Sequence, residues 1–329
     1  MALKIARVAF ALVLLAALFY FNLIDLGALG RLLTRPGVLI FAFLLSLTII
    51  VLAGLRWRIL LSSQGLVLPC RQVLRIVAIG AFFNNFLPGS AGGDVVRGVF
   101  VYQASEGRRT GGLLSILIDR LIGLGAFIAF GVLGSLMRPW RDDGILEYTT
   151  FVLAAAFLAG MIVLFRFGHP IAQLVNLVFG RRSRRLASVI DEAGAALRRY
   201  AGQWGSLLLS TAVSMAIVLL FAICISAIAS GIEPRGLSAL DYGIAGVYAT
   251  IANALPFSPG GLGVGEGAFA SACAALEPAA SGHAYGTIFL AYRCIVVMST
   301  LPGLALYLVS PRNAAARSSI NGNGRSLRS

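Results

Sequence analysis

Two stretches, Leu87–Asp94 (LPGSAGGD) and Leu255–Glu266 (LPFSPGGLGVGE), interrupt otherwise apolar sequence and read as two copies of one device. In each, an Asn stands three residues before the first Pro (Asn85 before Pro88, Asn253 before Pro256), and a Gly pair and a carboxylate follow. An Arg then lies inside the next apolar segment, 26 residues after Asp94 (Arg120 in LIDRLIG) and 27 after Glu266 (Arg293 in LAYRCIV). Broken helices paired with intramembrane charge are features of membrane transporters, where ionisable groups face a bundle interior or a substrate path.

The rest of the chain supports a membrane setting. It has 329 residues, 58% of them hydrophobic and 12% charged, too little polar surface to coat a water-soluble globule. Runs of about 20 apolar residues, enough to cross a hydrocarbon core, occur at Val8–Gly27, Val38–Leu60, Gly112–Met137, Thr149–Phe167, Gly205–Gly231 and Ala284–Val309. The expected fold is an all-α polytopic membrane protein with six spanning helices plus the two broken segments. Met1–Leu26 has the outline of a signal peptide but is read as a retained first span, because the topology requires it.

The formal charge of +14 is distributed as topology rather than as a nucleic-acid surface. Between Arg166 and Trp204 seven Arg (166, 181, 182, 184, 185, 198 and 199) face two acids, Asp191 and Glu192, which marks that loop as cytoplasmic. Lys4 and Arg7 at the start, and Arg312, Arg317, Arg325 and Arg328 at the end, place both termini on the same side. Arg56, Arg58, Arg71 and Arg75 fall there too, whereas the loops 138–148 and 232–241 carry at least as many acids as bases and lie outside. A basic stripe without interleaved aromatics suits anionic headgroups, so nucleic acid is not expected as a partner.

Following charge parity, the segment containing LPGSAGGD enters and leaves from the cytoplasmic side, and that containing LPFSPGGLGVGE from the outside. Each half then reads span, span, hairpin, span in opposite orientation, an inverted-topology repeat. The hairpins are expected to be re-entrant, because Pro and Gly leave backbone groups that need protein or a cavity around them; full crossings, giving eight or more helices, satisfy the same parity. The domain expectation is one membrane domain over residues 1–310, with halves of about 1–167 and 205–310 and a cytoplasmic amphipathic segment at 181–203. Within that segment Leu186, Ile190, Ala193, Leu197 and Tyr200 form a helical stripe, expected to lie on the inner leaflet. Residues 311–329, rich in Ser, Asn, Gly and Arg, read as a disordered tail.

The second half of a broken helix presents backbone N–H groups to an anion, and Gly lets that anion approach. Gly92 and Gly93, and Gly260 and Gly261, stand where such groups belong. Arg120 and Arg293 need partners in the membrane. Asp119 is adjacent to Arg120 but about 100° away on a helix, so Asp94 and Glu266 are equally suited as counter-ions. Asn85 and Asn253 suit capping or headgroup contact. The four Cys (70, 224, 273 and 294) show no paired spacing, His169 and His283 are isolated, and the acidic pair Asp142 and Asp143 sits in a loop. No metal site, cofactor, catalytic set or enzymatic activity is therefore expected.

At FFNNFLPGSAGGDVVRG, LIDRLIG, LPFSPGGLGVGEG and AYR the sequence resembles the lysylphosphatidylglycerol synthase transmembrane-region family, the flippase-like domain found at the N-terminus of MprF-type proteins and in stand-alone form. The resemblance covers about Ile5–Val309 and brings Tyr292 of the AYR segment into the candidate site. It implies a bacterial or archaeal cytoplasmic-membrane protein that moves a phospholipid or lipid-linked headgroup between leaflets. In a single central cavity between the two hairpins, Arg120 and Arg293 would hold the phosphate, and Asp94 and Glu266 would reset the site. An anionic phospholipid or a polyprenyl-phosphate-linked lipid is the implied ligand. The alternatives are an accessory subunit or enzyme of polyprenyl-phosphate sugar transfer, working with a separately encoded glycosyltransferase or synthase, and a small-solute transporter.

Overall fold

The structure, a computed structural model, describes residues 26–86, 92–104, 109–138, 144–170, 173, 175, 184–232, 237–254, 261–277 and 285–309. The described residues are helical with short turns. Five helices are long and apolar enough to cross a bilayer: α2 (Pro36–Ser62), α5 (Arg109–Met137), α6 (Ile145–Ile162, continuing through a π turn at Val163–Phe167 to Pro170), α8 (Trp204–Ile232) and α11 (Tyr285–Leu308). These match five of the six expected spans; the sixth, Val8–Gly27, lies almost wholly outside the described residues. Pro36 opens α2, at a position where its missing N–H costs no helical bond. Outward-facing Ile40, Leu44, Val51, Val152, Leu158 and Leu208 are exposed, as a lipid-facing surface requires.

The remaining helices are short. α1 (Leu26–Leu33) leads into α2. α3 (Cys70–Phe86) packs against α4 (Gly92–Ala104), and α9 (Ala239–Ala254) against α10 (Val264–Leu276). Both α4 and α10 have 13 residues, about 20 Å at the α-helical rise, against a hydrocarbon core of about 30 Å. Neither can span the core alone.

The central packing is α2 against α8. Around it α3 contacts α2, α4 and α11, while α9 contacts α8, α10 and α5. α4 rests on α5 and α10 on α11; α5 also meets α2 and α8, as α11 does. Exchanging α2 with α8, α3 with α9, α4 with α10 and α5 with α11 leaves this set of neighbours unchanged. The helices of one short pair make no substantial packing with those of the other.

Close backbone approach fixes α3 on two sides. A Cβ at Gly93 would sit 2.0 Å from the Gly80 carbonyl oxygen, and one at Gly303 would sit 2.0 Å from that of Ala78. Only glycine permits α4 and α11 to approach α3 so closely.

The amphipathic segment forms α7 (Arg184–Ala201). Its C-terminal stripe departs from the expected placement on the leaflet: Leu197 and Tyr200 are buried in a cluster with Leu60, Ile118 and Ile122. Tyr200 Oη donates to the Leu60 carbonyl at 3.0 Å, Arg199 Nε to Gln64 Oε1 at 3.0 Å, and Glu192 accepts from Thr110 Oγ1 at 2.6 Å. The polar ends of α2 and α5 offer partners that lipid cannot, so this end of the helix seats on protein.

Candidate functional site

The charges singled out in the sequence do not share the one central cavity expected between the hairpins: they fall into two separate clusters, each at the start of a short helix. The physical reason is that α4 packs on α5 and α10 on α11, while the two short pairs do not pack substantially on each other. In the first, Asp94 is in the opening turn of α4 and Arg120 lies eleven residues into α5, counting from Arg109 (120 − 109 = 11), about 16 Å along the helix. Arg120 Nε donates to Asp94 Oδ2. Asn84, near the end of α3, accepts from the Gly93 N–H at 2.7 Å through Oδ1 and so caps α4.

Behind this pair runs a buried charge ladder. Arg97, one turn on from Asp94, donates to Asp94 Oδ1 at 3.5 Å and to Asp119 Oδ2 at 3.0 Å. Asp119 also accepts from Arg56 Nε at 2.7 Å, and Arg56 Nη1 reaches Ser214 Oγ at 2.9 Å. The Arg97 guanidinium lies 4.2 Å over the Trp57 ring, whose indole N–H donates to Ser115 Oγ at 3.0 Å. Three guanidiniums and two carboxylates thus form a continuous line, with one net positive charge when both acids are ionised. Arg120, at its open end, is 37% exposed, whereas Asp119 is 3% exposed.

That open end faces a groove of about 580 Å³ between α4 and α5, walled by Val95, Val99, Leu113 and Leu117 and reaching Tyr102 and Gln103. One end is polar and the walls are apolar, with lateral access between two helices.

The second cluster repeats the plan in closed form. Glu266, in the first turn of α10, is fully buried; it accepts from Arg293 Nε at 2.6 Å and from the Gly263 N–H at 2.8 Å. Arg293, eight residues into α11 (293 − 285 = 8), also donates to the Gly261 carbonyl at 3.1 Å and to Asn253 Oδ1 at 3.5 Å. Gly261 and Gly263 adopt φ of 75° and 80°, a region favouring glycine. Asn253 presses on Gly261 and Gly265, where a Cβ would lie 2.1 and 2.4 Å from its Oδ1. Its counterpart in the first half is therefore Asn84 rather than Asn85.

The expected site residues are thus distributed unevenly. Asp94, Arg120 and Gly93 meet in the first cluster, with Asp119 behind them; Glu266, Arg293, Asn253 and Gly261 meet in the second. Gly92 opens α4 and is buried, while Gly260 lies outside the described residues. Asn85 turns away, donating to Thr300 Oγ1 at 3.1 Å and to the Ala81 carbonyl at 3.3 Å. Tyr292 packs edge-on to Phe221, with ring centroids 5.2 Å apart, in the apolar core. Arg56 and Arg97 are participants that the sequence does not announce: Arg56 reads as a topology charge, and Arg97 stands within GGDVVRG with no role assigned to it. The i, i+3 spacing of Asp94 and Arg97 on one short helix was the available signal. Among the described residues no group of three or more His, Cys, Asp or Glu is placed to hold a metal.

No solved structure matches the chain. It is similar to two UPF0104 membrane proteins: one from Methanocaldococcus jannaschii, 24% identical over 30% of this chain and 29% of the relative, and one from Methanothermobacter thermautotrophicus, 26% identical over 49% and 47%. The chain therefore matches less than half the length of either relative. The profile of the lysylphosphatidylglycerol synthase transmembrane region matches residues 4–303. With nearly the whole chain covered, the protein belongs to the lysylphosphatidylglycerol synthase transmembrane-region family.

Proposed function

We propose that the protein is a non-enzymatic lipid translocase, moving a lipid with a phosphate-bearing headgroup between the leaflets of a bacterial or archaeal cytoplasmic membrane. The observation that carries this reading is the net-positive ladder opening at Arg120 into an apolar-walled groove. A phosphate at that mouth gains a guanidinium in low dielectric, while its acyl chain keeps to the apolar walls. Asp94 competes for the same Arg, so the headgroup is exchanged rather than trapped. The wall chemistry suits a lipid better than a soluble solute, and both a glycerophospholipid and a polyprenyl phosphate present this phosphate-plus-chain chemistry.

The two clusters act as the two ends of one transport path. Supporting this are the equal lengths of α4 and α10, their carboxylate-to-Arg pairs, and the neighbour set that survives exchange of the halves. On this reading α3–α4 and α9–α10 are re-entrant hairpins of an inverted repeat, entering from opposite faces, with both termini cytoplasmic and residues 1–310 acting as one domain. Arg120 is open to its groove while Glu266 is fully buried, as expected when one end is accessible and the other occluded.

The test is reconstitution into liposomes carrying fluorescent phosphatidylglycerol, with leaflet exposure read by a membrane-impermeant quencher. Wild-type protein should accelerate exchange, and Arg120→Ala combined with Arg293→Ala should abolish it. Wild-type rates in the double variant would overturn the reading. Exchange confined to a fluorescent polyprenyl phosphate would assign that carrier instead of the glycerophospholipid.

A further inference from the structure

A second groove, of about 1100 Å³, lies between α2, α3 and α11, apart from both charge clusters. Leu47, Ile50 and Val51 of α2, Leu74 of α3 and Leu306 of α11 make its walls apolar, and Val51 is 44% exposed. Its mouth is basic. Arg71 and Arg75, one turn apart on α3, line it with Gln72 between them, and Arg75 Nη2 donates to the Leu306 carbonyl at 3.3 Å. At the inner end stand Ser299 and Thr300, beside the Asn85 contact.

The charge arrangement sets this crevice apart from the Asp94 groove. Among the described residues no carboxylate lines it, and neither Arg71 nor Arg75 pairs with an acid. A guanidinium pair at the mouth of an apolar cleft suits an anionic lipid, with the phosphate on the Arg pair and the chain in the cleft. Without a competing acid, nothing in the site ejects the bound anion. The crevice also sits where α3 meets α11, so an occupant bears on the junction held by Gly303 against Ala78 and by Asn85 against Thr300.

We propose that this crevice holds one resident anionic phospholipid, its phosphate on Arg71 and Arg75 and one acyl chain running inward along α2 and α11 toward Thr300. The lipid is a bound component lodged at the junction of α3 and α11, not the transported cargo.

Photocrosslinking tests this directly. The protein is reconstituted in phosphatidylcholine nanodiscs containing a phosphatidylglycerol with a photoactivatable acyl chain, and labelled peptides are mapped. Label is expected on residues 47–51 and 299–309. Unlabelled phosphatidylglycerol should displace it, and phosphatidylcholine of the same chains should not. Arg71→Gln with Arg75→Gln should weaken that competition about 30-fold, from the attraction of two basic residues at a membrane surface. Val51→Trp, which fills the cleft from its exposed wall and keeps both Arg, should remove the label. Equal competition by the two lipids, unchanged competition in the double Gln variant, or persistent label in Val51→Trp would each overturn the proposal. Arg120→Ala should leave this label intact, and Arg71→Gln with Arg75→Gln should leave Arg120-dependent lipid exchange, so the two readings fail independently.

Discussion

Asp119 Oδ1 lies 2.7 Å from Arg56 Nε, and its Oδ2 lies 3.0 Å from Arg97 Nη2, so one 3%-exposed carboxylate holds two guanidiniums inside the helix bundle. Breaking a buried ion pair by removing one partner leaves uncompensated charge and costs about 3–5 kcal/mol. Asp119→Asn is therefore expected to lower the melting temperature in detergent more than substitution of any exposed charge, such as Arg58→Gln. Asp119→Leu combined with Arg56→Met, which removes charge from both sides, should recover part of that loss. If Asp119→Asn melts with wild type, the ladder is not structural.

Glu266 performs two tasks that substitution can separate. Its Oε2 accepts from the Gly263 N–H at 2.8 Å, and its Oε1 receives Arg293 Nε at 2.6 Å. Glu266→Gln keeps an acceptor for Gly263 but loses the charge; Glu266→Ala loses both. Each buried group left unsatisfied costs about 1–3 kcal/mol. Thermal unfolding should rank wild type above Glu266→Gln and Glu266→Gln above Glu266→Ala, and equal values for the two variants would show that the cap on Gly263 contributes nothing.

Gly93 is limited by backbone, not by a side chain that can move. Its Cβ would meet the Gly80 oxygen at 2.0 Å, whereas Gly160 has nothing within 4 Å of that position. Overpacking typically costs about 1–3 kcal/mol, and here neither partner can rotate away. Gly93→Ala should destabilise by at least that amount and separate α3 from α4. Gly160→Ala should be neutral or stabilising by about 0.5–1 kcal/mol, as helix propensity dictates. The comparison is read by melting temperatures of the two variants measured side by side.

Composition and charge parity made the spans legible, because hydrophobic length and Arg placement are properties of local sequence. Asp94, Glu266, Arg120 and Arg293 were legible one by one, since the duplicated breaks marked the carboxylates and the cost of burial marked the arginines, but the sequence leaves open which acid meets which Arg. What the sequence concealed was how the clusters sit. Arg56 lies six residues from the end of α2 (62 − 56 = 6) and looks like a positive-inside charge until Asp119 and Ser214 arrive from other helices. Asn85 and Asn84 are adjacent, and only the rotation of α3 against α11 decides that Asn84 caps α4 while Asn85 reaches Thr300. The stripe on α7 suited lipid and protein equally, and the acceptors at Leu60 and Gln64 decided for protein.

At the other end of α5, Arg138 pairs with Asp241 at the start of α9 and donates to the Leu276 carbonyl, the last residue of α10, at 3.2 Å. One guanidinium thereby ties three helices together on the face opposite Arg71 and Arg75. Cys273, fully buried one turn before Leu276, reports whether that tie holds. In a variant with Cys70, Cys224 and Cys294 replaced by serine, a membrane-impermeant maleimide should label Cys273 slowly. Arg138→Ala should raise the labelling rate, because α10 loses its anchor, and Asp241→Ala should do the same. Restoring the pair in reverse with Arg138→Asp and Asp241→Arg should return part of the protection, although the swapped Asp cannot donate to the Leu276 carbonyl. Labelling of Cys273 at one rate in all four proteins would mean that the Arg138 tie does not control access on that face.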